Sequence, residues 1–184
     1  AMLHDIGKIG VPDSILNNPK RLTDVEYDII KSHTTMGGDI LKNRIIINSA
    51  EDVARSHHER WDGYGYPLGL KGEEISEEAR IVAIADAFDA MSSNRVYRKA
   101  CDLEHIRSEL QNGSGKQFDP KFVGIFIEIW DKGLLDSILK NETQEDAAGM
   151  EASSALLQEV MEAFLSQSAA EDIDVTTGIM SRSA

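Results

Sequence analysis

The stretch His57-His58-Glu59-Arg60-Trp61-Asp62-Gly63-Tyr64-Gly65-Tyr66-Pro67 sets the frame for the whole chain. Neighbouring side chains on a helix point about 100° apart, so two adjacent histidines cannot both face one core stripe. At a helix end they can instead close on a shared object from two directions, and neutral imidazole is the commonest metal side-chain ligand. A solvated surface pair is the plain alternative. Gly63 and Gly65 allow positive φ and close approach of the backbone to a bulky ligand, and Pro67 stiffens the turn.

On both sides of this stretch the pattern is helical. Residues 50–58 form a helix with Val53 and Ala54 inward. Beyond the loop, Ser76 can cap a helix over 77–92, whose apolar stripe is Ile81, Ile84, Ala85, Phe88 and Met91. Upstream, Thr23-Asp24-Val25-Glu26 is a capping box, so a helix starts near Asp24 and runs to about Ser32 or His33, with Val25, Ile29 and Ile30 on its apolar face. Residues 36–41 form a second segment, weakened by Gly37-Gly38. Residues 7–19 carry turn formers and no helical period. Downstream, Asp102 caps a helix to about Gln111, residues 112–115 form a loop, and Asp119-Pro120 opens a very apolar helix through Trp130. No useful strand alternation appears. The reading is all-α, a helical bundle.

At residue 134 the composition shifts. Residues 134–184 hold 10 acids and 2 bases, against 22 acids and 17 bases in residues 1–133. The expected organisation is a domain over 1–133 and an acidic extension over 134–184, with one amphipathic helix at 151–167 and a disordered end. The 184 residues are 41 % hydrophobic, enough for a core, and no apolar run reaches the 18 residues of a membrane span. The single Cys101 excludes an internal disulfide framework and fits a reducing compartment. A net charge of −13 excludes a polymeric nucleic-acid partner, which needs a basic footprint. A small phosphate ligand stays possible if bound cations and a few arginines reverse the local field.

Four of the five histidines fall into three local signals: His4-Asp5, His33 and His57-His58. Asp86 lies among Ala83, Ile84, Ala85 and Ala87, where a carboxylate must be paired, hydrogen-bonded or metal-bound. Solvent exposure, or pairing with an arginine such as Arg80, is the bland alternative. Imidazole and carboxylate donors without a thiolate favour Mn, Fe, Zn or Ni. An aspartate such as Asp5 can bridge two ions, and two ions about 3.5–4 Å apart can hold a hydroxide and a phosphodiester for in-line attack. The residues alone point to metal-assisted hydrolysis of a small phosphate ester.

His4-Asp5-Ile6-Gly7-Lys8-Ile9-Gly10 resembles the signature of the HD phosphohydrolase superfamily, and the His57–Pro67 stretch resembles its HD-GYP subfamily through Gly65-Tyr66-Pro67. Residues 79–90, 95–100 and 117–120 are similar to its later blocks, so the resemblance covers about residues 3–131. It implies an all-α bundle with two or three divalent ions, iron or manganese, that hydrolyses cyclic di-GMP to the linear dinucleotide and in some members on to GMP. By position it implies His4, Asp5, His33, His57, His58 and Asp86 as metal ligands, with Asp5 bridging. Lys8 would reach a phosphate oxygen or assist the leaving group, Gly65 and Tyr66 would contact guanine or phosphate, and Arg95 and Arg98 would bind the nucleotide. Trp61 and Trp130 read as packing, His105 as a surface residue, and Asp62 and Asp89 as braces for loops or imidazoles.

Relatives carry a further histidine, and sometimes a metal-binding glutamate, on a helix before the His-Asp pair. This chain begins three residues before His4 and reads as a fragment cut at its N-terminus. Asn94-Arg95-Val96 stands where relatives have Asp-Arg-Pro, and Ser76 stands at a usual proline. The competing reading is an inactive module that senses the nucleotide or docks a protein through Gly65-Tyr66-Pro67. The intact ligand set favours the enzyme. A hydrolase of another cyclic dinucleotide or a nucleotide monophosphate is a third reading, which the Gly-Tyr-Pro block disfavours. An upstream sensor or receiver domain and a bacterial, cytoplasmic signalling role are further implications of the resemblance.

Overall fold

The computed structural model describes residues 2–42, 49–92 and 102–135. Among them the regular structure is helical, with one isolated bridge between Ser114 and Phe118 and no strand. The order is a 3-10 turn at Ile6–Gly10, then α1 (Asp13–Leu16), α2 (Asp24–Leu41), α3 (Ala50–Ser56), a 3-10 turn at Gly72–Glu74, α4 (Glu77–Ser92), α5 (Leu103–Gly113) and α6 (Pro120–Asp131). The all-α expectation holds. Residues 136–184 lie outside the described part, and so do the expected helix at 151–167 and all of the expected 134–184 extension except its first two residues.

Helix starts follow local chemistry. Thr23 Oγ1 accepts from the Glu26 amide at 3.3 Å while the Glu26 carboxylate accepts from the Thr23 amide at 2.8 Å, which closes the capping box of α2. Asp102 caps α5 by accepting from the His105 amide at 2.8 Å. Asp119 caps α6 by accepting from the Lys121 amide at 2.8 Å, with Pro120 at the first helical position. The expectation of no helix over residues 7–19 is corrected by α1 and the first 3-10 turn, both too short to show a period.

The larger correction concerns α2. Two segments were expected around Gly37-Gly38, and one unbroken helix runs from Asp24 to Leu41. Both glycines are buried. A Cβ on Gly37 would lie 3.3 Å from the Gly7 amide nitrogen and 3.4 Å from the Ala54 Cβ. One on Gly38 would lie 2.7 Å from the Arg55 guanidinium. At Gly7 a Cβ would sit 1.9 Å from the His33 carbonyl oxygen. The glycines therefore mark where the first 3-10 turn crosses α2 at backbone distance and where the Ala54 and Arg55 side chains of α3 pack against it, and that packing outweighs their cost of roughly 1 kcal/mol each in helix propensity. Val25, expected on the apolar face, is 71 % exposed, because α2 has only begun to meet its neighbours there.

α4 is the central helix. Ile81, Ile84, Ala85 and Phe88 pack with Ile106 and Leu110 of α5 and with Phe122, Phe126 and Ile129 of α6. Trp130 meets Phe88 edge to face, with ring centroids 5.7 Å apart. The core reaches Leu135, which is buried with this group. Arg80 reaches from α4 to Asp119 at 2.5 Å, and its guanidinium carbon lies 5.7 Å from the Trp61 ring centroid.

Gly7→Ala should lower stability by about 2 kcal/mol or more, since its methyl meets backbone that cannot give way. Gly10→Ala, where the new methyl meets only the flexible Met36 thioether, should cost less than about 1 kcal/mol. Urea denaturation of both variants against the parent protein checks the contrast.

Candidate metal centre

Four separate segments deliver the site. His4 and Asp5 precede the first 3-10 turn, with Asp5 as its N-cap. His33 lies on α2 where Gly7 presses against its carbonyl oxygen. His57 is the C-cap of α3, and His58 follows it. Asp86 sits midway along α4. The helix end is what lets adjacent histidines converge: both rings turn inward, with centroids 4.1 Å apart.

The six side chains meet around Asp5. Oδ1 lies 3.3 Å from His33 Nε2 and 3.7 Å from His57 Nε2. Oδ2 lies 3.4 Å from His4 Nε2, which is in turn 3.6 Å from Asp86 Oδ1. Donor atoms of Asp5, His33, His57 and His58 all fall within 4.8 Å of one another. The two oxygens of one carboxylate thus face different sets of donors. Asp86 pairs with His4 and not with Arg80, whose partner is Asp119.

Tautomers decide what this geometry fits. His33 Nδ1 donates to the Ile30 carbonyl at 2.5 Å, and His57 Nδ1 lies 3.0 Å from the Val53 carbonyl and 3.2 Å from that of Ala54. A carbonyl only accepts, so the proton of each ring sits on Nδ1 and Nε2 presents a lone pair. Those lone pairs aim at a carboxylate oxygen. Among the described residues, Asp5 Oδ1, His33 Nε2 and His57 Nε2 are buried and make no hydrogen bond. Buried acceptors facing one another repel unless a cation lies between them. The donor set fits a divalent ion of the N/O-binding kind.

A proton placed on an Nε2 can take the part of a cation and act on the carboxylates. Burial resists ionisation of Asp5, but contacts from His33, His4 and His57 outweigh it and hold the carboxyl well below the usual range. Asp86 is lowered in the same way, against burial and mainly by His4. Burial, reinforced by the neighbouring His57, pushes His58 down to about 3. Imidazole that stays neutral and carboxylate that stays ionised are the forms a metal takes.

The loop after His58 is tied by a residue whose role the sequence did not disclose. Glu59 is 3 % exposed and accepts backbone hydrogen bonds from Leu68 at 2.7 Å, Gly69 at 3.1 Å and Leu70 at 3.0 Å. Its only sequence signal is an acid placed before a glycine-rich loop. Gly63 has positive φ, as expected, but Gly65 does not. A Cβ on Gly65 would lie 2.4 Å from the Arg60 amide nitrogen, so its close approach is to the chain's own backbone. Asp62 braces the loop, pairing with Arg60 and accepting from the Tyr64 amide at 3.1 Å.

Tyr66 stacks obliquely on His58, with centroids 5.0 Å apart. Burial, with help from nearby acidic groups, raises its phenol above the usual range. Lys8 is not a free surface lysine, since its Nζ pairs with Asp5 Oδ2. His105 is exposed, as expected. Arg95 and Arg98 lie outside the described residues. A cleft of about 580 Å³ opens beside the centre, lined by His57, His58, Gly65, Tyr66 and Asp86 and, on α4, by Ala83, Ala87 and Ala90.

The HD domain family model matches residues 1–122. A protein of Thermotoga maritima named cyclic di-GMP phosphodiesterase is 46 % identical over 150 residues, covering 80 % of this chain and 40 % of the relative. A Vibrio cholerae protein named 3'3'-cGAMP-specific phosphodiesterase 2 is 43 % identical over 132 residues, covering 71 % of this chain and 25 % of the relative. The chain thus spans two fifths or less of the length of these relatives. Among solved structures, a cyclic GMP-AMP specific phosphodiesterase of Vibrio cholerae shares the fold, with a TM-score of 0.54 and 20 % identity, covering 88 % of this chain and 47 % of that one. With its His4-Asp5 pair, its helical fold and its Gly65-Tyr66-Pro67 block, the chain belongs to the HD domain family, in the HD-GYP branch.

Proposed function

We propose that the chain is a metal-dependent phosphodiesterase that opens cyclic di-GMP to linear pGpG or onward to GMP, in bacterial second-messenger signalling in the cytoplasm. The observation that carries this reading is the convergence of imidazole lone pairs and two carboxylates on one buried point beside an open cleft. The names of the relatives supply the substrate class. No described helix is long and apolar enough to cross a membrane.

His4, Asp5, His33, His57, His58 and Asp86 would hold two or three divalent ions, with imidazole nitrogens facing both oxygens of Asp5. Among the described residues the gathered donors are imidazole and carboxylate, which suit manganese, iron, zinc or nickel, and the resemblance to the HD-GYP branch favours iron or manganese. Such ions would supply Lewis-acid polarisation of a phosphoryl oxygen and a nucleophile usable at neutral pH.

The chain's own residues then bind and orient. Lys8 exchanges its contact with Asp5 for a phosphate oxygen or the leaving oxygen. Tyr66 keeps its phenolic proton, so it donates a hydrogen bond to phosphate or guanine from its place beside His58. Gly65 sets the loop that aims Tyr66. Arg95 and Arg98 take the second phosphate or a guanine edge through their planar guanidinium groups. Ala83, Ala87 and Ala90 give the cleft a flat apolar wall that admits a planar base and excludes water. The inactive-module reading would need a broken ligand set, and all six side chains are present and gathered. A sensor or receiver domain in the full-length protein would regulate the site.

Metal-replete protein incubated with cyclic di-GMP should give the linear dinucleotide or GMP. Asp5→Ala should lower turnover by more than about a hundredfold, beyond the usual loss from removing a supporting residue around a metal. His105→Ala, far from the site and exposed, should leave turnover unchanged. Binding without turnover by the metal-replete parent would contradict the reading.

The metal-free protein has its own pH signature. His58 titrates near 6.5 when unfolded and near 3 when folded, so below 6.5 the unfolded chain takes up the proton first. Stability contributed by this residue is complete above 6.5 and is lost as the pH falls towards 3. Asp5 and Asp86, also lowered, add their losses only below about pH 4. Melting temperatures of the metal-stripped protein should fall between pH 6.5 and 4, and His58→Gln should flatten that slope.

A further inference from the structure

We propose that Tyr27 is a nucleobase platform, a binding residue that stacks one base of the cyclic dinucleotide at the outer edge of the cleft. The inference builds on the phosphodiesterase reading and assigns a residue that neither the motifs nor the resemblance singles out.

Tyr27 stands in the first turn of α2 and lines the cleft. It is 49 % exposed. On the same helix Ile29 and Ile30 are half-buried and His33 is fully buried, so α2 has turned its apolar side inward and left this ring in the opening. One turn further on, Lys31 Nζ sits 5.1 Å from the Tyr27 ring centroid and 6.0 Å from that of Tyr66. Asp28 holds Lys31 in that position at 2.5 Å. Tyr66 in turn lies against His58.

A row of groups therefore runs outward from the metal centre: His58, Tyr66, Lys31, Tyr27. The first three are each flanked on both sides. Tyr27 ends the row, with a cation on one side and open cleft beyond. A base hangs from its phosphate by one ribose, so a phosphate seated at the centre places a base near the rim. A planar, electron-rich ring with a cation behind it is a surface on which a base can stack. Every base has a π-face, so the contact supplies affinity and does not tell guanine from adenine. Tyr27 thus serves cyclic di-GMP and 3'3'-cGAMP alike, and discrimination belongs elsewhere in the cleft.

The test compares the metal-replete parent with Tyr27→Ala and Tyr27→Phe by calorimetric titration with GMP and by turnover of methyl 4-nitrophenyl phosphate, a phosphodiester without a nucleobase. Tyr27→Ala should weaken GMP binding about tenfold, the order expected for one lost base–aromatic stack, and weaken AMP binding by a similar factor. Hydrolysis of the base-free ester should be unchanged, and Tyr27→Phe should behave as the parent. Unchanged GMP binding in Tyr27→Ala would overturn the proposal. So would an equal loss on the base-free ester, which would mark a structural role. If the parent binds GMP through Tyr27 yet cleaves no phosphodiester, the platform stands and the catalytic reading falls.

Discussion

The approach of Gly7 to α2 is the constraint on which the site depends. Nothing lies between Gly7 and the His33 carbonyl, and Gly37 faces the Gly7 amide on one side and Ala54 on the other. The backbones of the first 3-10 turn and α2 meet at a spacing that no side chain at Gly7 permits, and α3 packs against Gly37 through the Ala54 methyl. That packing places Asp5, two residues before Gly7, opposite His33, and it places α3 so that its end delivers His57 and His58 to the same point. The metal-type donors are therefore positioned by backbone packing and not by flexible side chains. This is the arrangement a preorganised site needs.

Nε2 lone pairs of His33 and His57 face a carboxylate oxygen because their Nδ1 protons are committed to helix carbonyls. A divalent ion bound there would turn these facing acceptors into ligands. The same logic reconciles an acidic protein with an anionic substrate. The chain carries a net charge of −13, and Lys8, Lys31 and Arg60 near the cleft are each paired with a carboxylate, so cations bound at the centre would have to supply the local positive field. Local fields decide where a phosphate binds.

The helix caps were legible because capping is local: Thr23 with Glu26, Asp102 and Asp119-Pro120 all do what their spacing says. The apolar helix α6 and the stripe of α4 were legible from period alone. What could not be read was tertiary. Gly37-Gly38 looked like a weak point in a helix because its partners, Gly7, Ala54 and Arg55, are distant in sequence. Glu59 gave no sign of anchoring a loop, since its acceptors are filled by amides nine to eleven residues on. Gly65 lines the cleft, and its lack of a side chain also makes room for the backbone of Glu59 and Arg60, a close approach the motif does not reveal. The gathering of His4, Asp5, His33, His57, His58 and Asp86 from four segments followed from the motif blocks and not from periodicity, which says nothing about which helices meet.

The central proposal is that the side chains gathered around Asp5 would hold more than one divalent ion. Anaerobic loading with manganese, followed by metal analysis and electron paramagnetic resonance, tests it without any substrate. The account predicts at least two manganese ions per chain and an exchange-coupled multiline spectrum that collapses to isolated-ion signals in Asp5→Ala. A single isolated ion in the parent protein, or no specific binding, would contradict it.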